Sequence, residues 1–345
     1  IGFAKAFDSV SHPKLLLKLR SYGISGTLLN FISAWLSGRT QSVLVEGVLS
    51  DSLAVISGVL QGSVLGPLLF LIFINDIIDN LPPSAHPLLF ADDLKLYSDE
   101  TTISCPSSPG SLFSPVLQYS LDVISEWSSK WQLPISHSKC SVLCISHSKK
   151  CSPRSYTIAL IKLPQVSSCV DLGVIIDNKL SFSAHISSLT KKAYSRSILI
   201  SRCFLSKNCT LLSKAFTTYI RPLAEYCTQI WSPHYLKYIN LIENIQRRFS
   251  KHIPSLKNLS YPARLAKLGL PSLELRRRQF DLITCYRVVH FLFHTGNNSF
   301  FTPRSHNITR GHAFMLAPPA IAHSGCFKFC FFSRVIPDWN SLPAT

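Results

Sequence analysis

The chain has 345 residues, 46 % of them hydrophobic, which is enough for two or three domains with buried cores and excludes an intrinsically disordered protein. Its formal charge is +17, but residues 1–100 carry 6 Lys/Arg against 9 Asp/Glu while residues 101–345 carry 29 against 9. A near-neutral front and a strongly basic rear suit chemistry in one part and polyanion gripping in the other, although a basic excess by itself is more often plain solvated surface.

In chain order, Pro13 marks a helix start and Gly23 its end, with Leu15, Leu16 and Leu19 on the apolar face. A second short helix runs from a Thr27 cap through Leu29, Phe31, Ile32 and Trp35 to Gly38. Residues 41–45 and 48–56 read as strands about the Glu46-Gly47 turn, and a Gly-rich loop at 57–63 feeds an apolar run from Val64 to Ile74, read as a buried helix. That run is interrupted by Gly66 and Pro67 and is far short of the roughly 20 residues of a membrane span, so the chain reads as soluble. Residues 88–97 show two strand-like pieces flanking Ala91-Asp92-Asp93, a tight hairpin. The Ser/Pro/Thr-rich residues 101–114 read as a loop. Leu117, Leu121, Ile124, Trp127 and Trp131 recur at helical spacing, and short strands are expected near Val142–Leu143 and Leu172–Ile176. From about His185 the pattern turns helical, near 185–204, 210–226, 236–253 and 272–294. The fold class is therefore α+β in front and all-α behind. Eleven cysteines in no regular framework, Cys140 and Cys144 among them, read as free thiols.

Three segments carry chemical signals. Asp92-Asp93 at a hairpin tip sets two carboxylates side by side, which repel unless a cation or proton intervenes; a solvated turn is the plain alternative. S-G-V-L-Q-G-S-V-L-G-P at 57–67 offers glycines for close backbone approach and Gln61 as both donor and acceptor. F-A-K-A-F-D at 3–8, before S-H-P-K-L-L-L-K-L at 11–19, says only strand, then helix.

In this order the three segments resemble motifs A, B and C of reverse transcriptases from non-LTR, LINE-type retrotransposons. W-Q-L-P-I-S-H-S-K-C (131–140) and D-L-G-V-I-I-D-N-K-L-S-F (171–182) resemble motifs D and E. Y-I-R-P-L-A-E-Y-C (219–227), I-W-S-P-H (230–234), I-Q-R-R-F (245–249) and W-N-S-L-P (339–343) resemble the jockey and CR1-like branch. The chain opens at Ile1 inside motif A and its only methionine is Met315, so upstream sequence, including most of the fingers, is expected to be missing.

The resemblance implies a right-hand polymerase: a palm over 1–183 built on a small antiparallel sheet with packed helices, a helical thumb over 184–270 and a basic helical region over 271–345. It implies RNA-directed DNA polymerase activity with two Mg2+ ions, an RNA template, a DNA primer and deoxynucleoside triphosphates as partners. An intracellular ribonucleoprotein of cytoplasm and nucleus is implied too; oligomeric state is left open. Asp92 matches the motif C residue that binds metal directly and Asp93 its more peripheral neighbour. The motif A carboxylate, five residues before Phe7, is matched by Gly2, so the shared ligand of both ions is absent and activity is expected to be lost. Asp8 is no obvious substitute, since an extended 2–8 segment would set it about 20 Å away.

Phe7 matches the steric-gate aromatic against the nucleotide sugar, and is equally a core phenylalanine. Gln61 and Gly62 match the motif B pair that supports the incoming nucleotide; Leu60 stands where the family has Pro. Lys139 matches the motif D lysine, a candidate general acid for pyrophosphate departure, or a solvated loop lysine. Ser136 replaces the usual Asn. Arg247, Arg248, Lys251 and Lys257, with Arg276, Arg277 and Arg278, are candidates for gripping the template–primer backbone. A non-catalytic remnant that only binds nucleic acid is the alternative to an active enzyme. A zinc site from His312, His323, Cys326 and Cys330 has poor spacing, and no nucleophile elbow supports a hydrolase.

Overall fold

The computed structural model describes residues 1–98, 114–146, 155–293, 301–304, 312–319 and 328–343. It divides into two units, Ile1–Ser167 and Ser168–Thr345. Of the expected loop at 101–114, residues 101–113 lie outside the described residues.

In the first unit, α1 (His12–Ser21) has Pro13 in its first turn, where a missing N–H costs nothing, and buries Leu15, Lys18 and Leu19. Full burial of each leucine contributes about 1.5–3 kcal/mol. α2 (Gly26–Leu36) buries Leu29, Ile32 and Leu36. It starts after Ser25 rather than at the expected Thr27 cap. Two small antiparallel ladders follow: β1 (Thr40–Gln41) pairs with β4 (Leu53–Ala54), and β2 (Leu44–Val45) with β3 (Val48–Leu49). α3 (Leu65–Ile74) is apolar all round, yet it is not buried all round as expected. Leu69, Phe70, Phe73 and Ile74 face the core, while Leu68 and Leu71 are exposed.

β5 (His86–Phe90) and β6 (Asp93–Tyr97) form an antiparallel hairpin. α4 (Pro115–Trp131) has the anticipated helical stripe, burying Leu121, Ile124 and Trp127. β7 (Val142–Leu143) pairs in parallel with β10 (Gln165–Val166), and β8 (Thr157–Ile158) pairs antiparallel with β9 (Ile161–Lys162). The strands at 157–166 were not expected, because two-residue strands are too short to show alternation. The central core gathers Phe3, Leu15, Leu19, Phe70, Phe73, Ile124, Trp127 and Leu133.

At its centre lies a buried charge. Lys18, 2 % exposed, donates to Phe73 O and to Asp76, among the rings of Phe73, Trp127 and Trp131, whose centroids lie 3.9–4.9 Å from Nζ. Trp127 Nε1 donates to the same carboxylate at 2.9 Å. Burial holds the Lys18 pKa below its ordinary value, against the pull of Asp76.

The second unit opens with the hairpin of β11 (Ser168–Asp171) and β12 (Val174–Asp177). The division into compact units thus falls just before this hairpin. Asp177 then accepts from Lys179 N, Ser181 N and Oγ, and Phe182 N, fixing the turn into α5 (Ser183–Cys203). The expected helix at 210–226 is three pieces: α6 (Cys209–Ala215), a π turn at Phe216–Ile220 and α7 (Arg221–Glu225). Pro222 lacks the N–H that a regular helix needs there. α8 (Thr228–Trp231), α9 (Leu236–Lys251), α10 (Tyr261–Leu268) and α11 (Leu273–Val289) follow, and α12 (Phe331–Asn340) closes the chain.

One core of this unit joins α5 to α9 through Ile186, Leu189, Phe216, Trp231, Ile245 and Phe249. A second packs Cys285 of α11 on Phe331, Val335 and Trp339 of α12. Cys140 and Cys285 are buried without a disulfide, but Cys144, expected as a free thiol, is disulfide-bonded. Among the described residues no helix is long and apolar enough to cross a membrane.

Candidate active site and nucleic-acid surface

The site grows from a short segment, Ile1–Ala4, held on both sides by backbone. On one side Ile1 N donates to Leu94 O at 2.8 Å and Leu94 N returns a bond to Ile1 O at 3.1 Å. That exchange is the mark of a directly opposed antiparallel pair, so the next pair toward the hairpin tip sets Gly2 across from Asp93, with strands about 5 Å apart. On the other side Phe3 bridges Ile135, Ser136 N donates to Gly2 O at 2.9 Å and Ala4 N to Pro134 O at 2.8 Å. Segments 1–4, 93–97 and 134–136, chain-distant and chemically marked, thus lie edge to edge.

The hairpin tip is Ala91-Asp92, with Ala91 in the left-handed region at φ 51° and Asp93 opening β6 opposite Phe90. Asp92 is half-buried and Asp93 exposed. Gly2 is buried, and a β-carbon there would come within 2.8 Å of Lys139 Cβ and 3.2 Å of its Cδ. Lys139 sits in a tight turn, His137–Lys139, its N bonded to Ser136 O, and its Nζ reaches Phe3 O at 3.3 Å. The stem of Lys139 therefore fills the room beside Gly2 that a larger residue would need.

The 57–62 loop lies on residues 7–11. Val59 N donates to Phe7 O and Gly58 N to Val10 O, both at 2.8 Å, and Ser11 bridges Ser57. Gly58 has φ +91° and its missing β-carbon would fall 2.8 Å from Asp8 Cα, so only glycine fits. Gln61 Nε2 donates to Asp8 Oδ1 at 2.8 Å; Gly62 is exposed. Phe7 stacks on Phe70 with centroids 4.2 Å apart, half-buried at the edge of the core. The segment after Ala4 is not extended, as assumed from sequence: Lys5 takes φ 45° and Ala6–Asp8 form a 3-10 turn. Asp8 is turned onto the 57–62 loop.

At polymerase-type sites Mg2+ is held by one or two carboxylates together with substrate phosphates and water, and Asp92 and Asp93 are the carboxylates here that could do so; among the described residues no three His, Cys, Asp or Glu side chains gather as a metal site. Asp92 closes the hairpin turn and Asp93 opens β6. The position across from Asp93 has no side chain.

The candidate phosphate-gripping residues separate into two groups. Arg248 and Lys251 are exposed, Arg248 over the Tyr194 ring at 5.1 Å, and Lys257 is exposed too. Arg247 is half-buried, bonded to Asn244 at 2.6 Å. The run 276–278 is engaged within the protein. Arg276 grips Glu225 with bonds of 2.7 and 3.2 Å, Arg278 grips Asp338 at 2.9 and 2.6 Å, and Arg277 is buried at 3 % exposure. The same pairing removes carboxylates from the surface. Between residues 178 and 273 the only acids are Glu225 and Glu243, against 15 Lys and Arg. Glu243 is buried, accepting from Tyr261 and from the N-terminal amides of α11, Leu273 N and Glu274 N. No simple pattern marks these internal pairs, whose partners lie up to 60 positions apart in the chain. His312 uses both ring nitrogens, on Trp339 O and Phe314 N, and His323 and Cys326 lie outside the described residues.

A family model for reverse transcriptase (RNA-dependent DNA polymerase) matches residues 1–176, just over half of the chain. The chain belongs to the reverse transcriptase family. Among its relatives is the probable RNA-directed DNA polymerase from transposon X-element of Drosophila melanogaster, 29 % identical over 261 residues, covering 73 % of this chain and 28 % of the relative. The RNA-directed DNA polymerase from mobile element jockey of the same organism is 29 % identical over 263 residues with the same coverage. The Pol polyprotein of type-1 retrotransposable element R2 from Popillia japonica is 34 % identical over 119 residues, 31 % of this chain and 20 % of its own length. The family match and these relatives agree with the LINE-type resemblance of the motifs. The chain spans a little over a quarter of the length of the X-element and jockey polymerases.

Proposed function

We propose that this chain is the polymerase portion of a LINE-type reverse transcriptase in which nucleotidyl transfer is lost and nucleic-acid binding is kept. In this reading residues 1–183 are the palm, 184–270 the thumb and 271–345 a basic helical region, although the 168–177 hairpin packs in the second unit. Template RNA, a DNA primer and deoxynucleoside triphosphates are the partners, and the setting is an intracellular ribonucleoprotein. Asp92 and Asp93 are the surviving catalytic carboxylates, Phe7, Gln61 and Gly62 border the nucleotide, and Lys139 is the motif D lysine.

One observation carries the loss: Gly2 lies across from Asp93 with Lys139 packed against it. A carboxylate shared by two cations cannot be replaced by a glycine, and magnesium binding is correspondingly weak. Losses of this kind correspond to several kcal/mol of transition-state stabilisation. Retention of binding rests on the 15 Lys and Arg between 178 and 273, whose grip does not depend on one atom.

The test is primer extension with magnesium on a primed RNA template. The chain is expected to give none. Extension above a no-enzyme control would overturn the loss and would mean that another group, such as Asp8, supplies the missing ligand. Recovery in Gly2→Asp, in which the Lys139 stem must shift to relieve the 2.8 Å contact, would tie the loss to this position.

A further inference from the structure

Four aromatic rings run in contact along one stretch of the second unit. His234 stacks on Phe329 with centroids 3.8 Å apart and planes 5° apart. Tyr235 follows His234 at 3.9 Å, and Tyr238 meets Tyr235 edge-on at 6.5 Å. Tyr238 is half-buried against the α5–α9 core, and the other three rings lie outside it. Tyr235 is 62 % exposed, Phe329 37 %, and His234 is on the surface. Desolvation lowers the His234 pKa, so its ring favours the neutral form. Lys237 Nζ lies 5.6 Å from the Tyr238 centroid and Lys328 Nζ 5.6 Å from that of Phe329, so a cation stands at each end. Three carboxylates of this unit are bound to arginines: Asp281 to Arg334, Asp338 to Arg278, Glu225 to Arg276.

Exposed aromatic rings in a row are unfavourable in water unless something covers them. Lysines at both ends choose a polyanion, and open ring faces choose one whose bases are free to stack. A single strand meets both demands; in a duplex the bases are already stacked on one another. We infer that Phe329, His234, Tyr235 and Tyr238, with Lys237 and Lys328, form a stacking platform for single-stranded nucleic acid. All six lie beyond the 1–176 segment of the family match. The inference rests on the reading that this chain holds nucleic acid, and adds where and in what form.

The experiment measures binding of the full chain, by fluorescence anisotropy, to an oligothymidylate of about 12 nucleotides and to an abasic strand of equal length and charge. The base-bearing strand is expected to bind about tenfold tighter. Tyr235→Ala should remove most of that preference while leaving the abasic affinity and the salt dependence unchanged, and Tyr235→Phe should restore it. Reversal of Lys237 and Lys328 to Glu should weaken both strands. Equal affinity for the two strands in the unaltered chain would overturn the platform. So would a Tyr235→Ala chain that binds both strands as its parent does, and loss of self-association in that variant would then mark the rings as a protein contact. In either case a persisting salt-sensitive grip would leave the wider reading standing. No binding to either strand would overturn both.

Discussion

At Gly66 the chain has no room for a methyl group. A β-carbon there would fall 2.3 Å from Leu60 O and 2.9 Å from Ser63 Oγ. The carbonyl cannot withdraw easily, since it accepts from Ser63 Oγ at 2.7 Å, while Ser63 Oγ itself accepts from Gly66 N at 2.9 Å. The glycine thus closes a small knot that starts α3 and sets the 57–62 loop on residues 7–11. Gly66→Ala is expected to destabilise the first unit by about 2–4 kcal/mol through overpacking against fixed backbone, read as a lower urea midpoint with unchanged slope. Stability equal to the parent would show that the loop yields freely, and the placement of Gln61 beside Asp8 would lose its support. The sequence marked this loop as one of close approach, but it could not say that the approach is to the protein's own carbonyl.

Among elements, the legible ones were mostly those with period. α1, α4 and the 86–97 hairpin follow from apolar spacing, from Pro13, and from the Ala91-Asp92 tip, and α3 from an apolar run without period. The 157–166 strands and the π turn at 216–220 did not, because neither leaves a repeating pattern. Nor did the Lys18–Asp76 pair, which joins α1 to the end of α3 beneath α4. Lys18 reads as one charged position in an amphipathic helix, and only packing shows three aromatic rings around it. Its burial makes a sharp expectation. Removing Asp76 as Asp76→Ala leaves the Lys18 ammonium buried without its counter-charge and is expected to cost about 3 kcal/mol, whereas Lys18→Met, which removes the charge and fills the space, should be neutral or stabilising. Chemical denaturation of the two variants decides the matter. Equal destabilisation by both would mean that the pair contributes net attraction, and that the ring cage does not tolerate an uncharged side chain.

For the whole molecule, charge is the property that survives damage at a single site. The second unit holds 23 Lys and Arg against 7 Asp and Glu, and five of those acids, Asp177, Glu225, Glu243, Asp281 and Asp338, are bound to other groups of the protein. Nucleic-acid binding should therefore be insensitive to sequence and steeply salt-dependent. If about six phosphates are neutralised, log K should fall with log salt at a slope near −4 to −5, according to strand state. The residues to reverse are the exposed Lys191, Lys192, Arg248 and Lys251, not the 276–278 run, because Arg276 and Arg278 tie helices together through Glu225 and Asp338 and their loss would confound folding with binding. Reversal of the four to Glu should flatten the slope by roughly one for each phosphate no longer gripped, and weaken every sequence alike. Asp92→Asn with Asp93→Asn should change the slope little, since those carboxylates belong to the front of the chain. A flat salt dependence, or a fourfold reversal without effect, would mean that this cationic surface is only solvated and holds nothing.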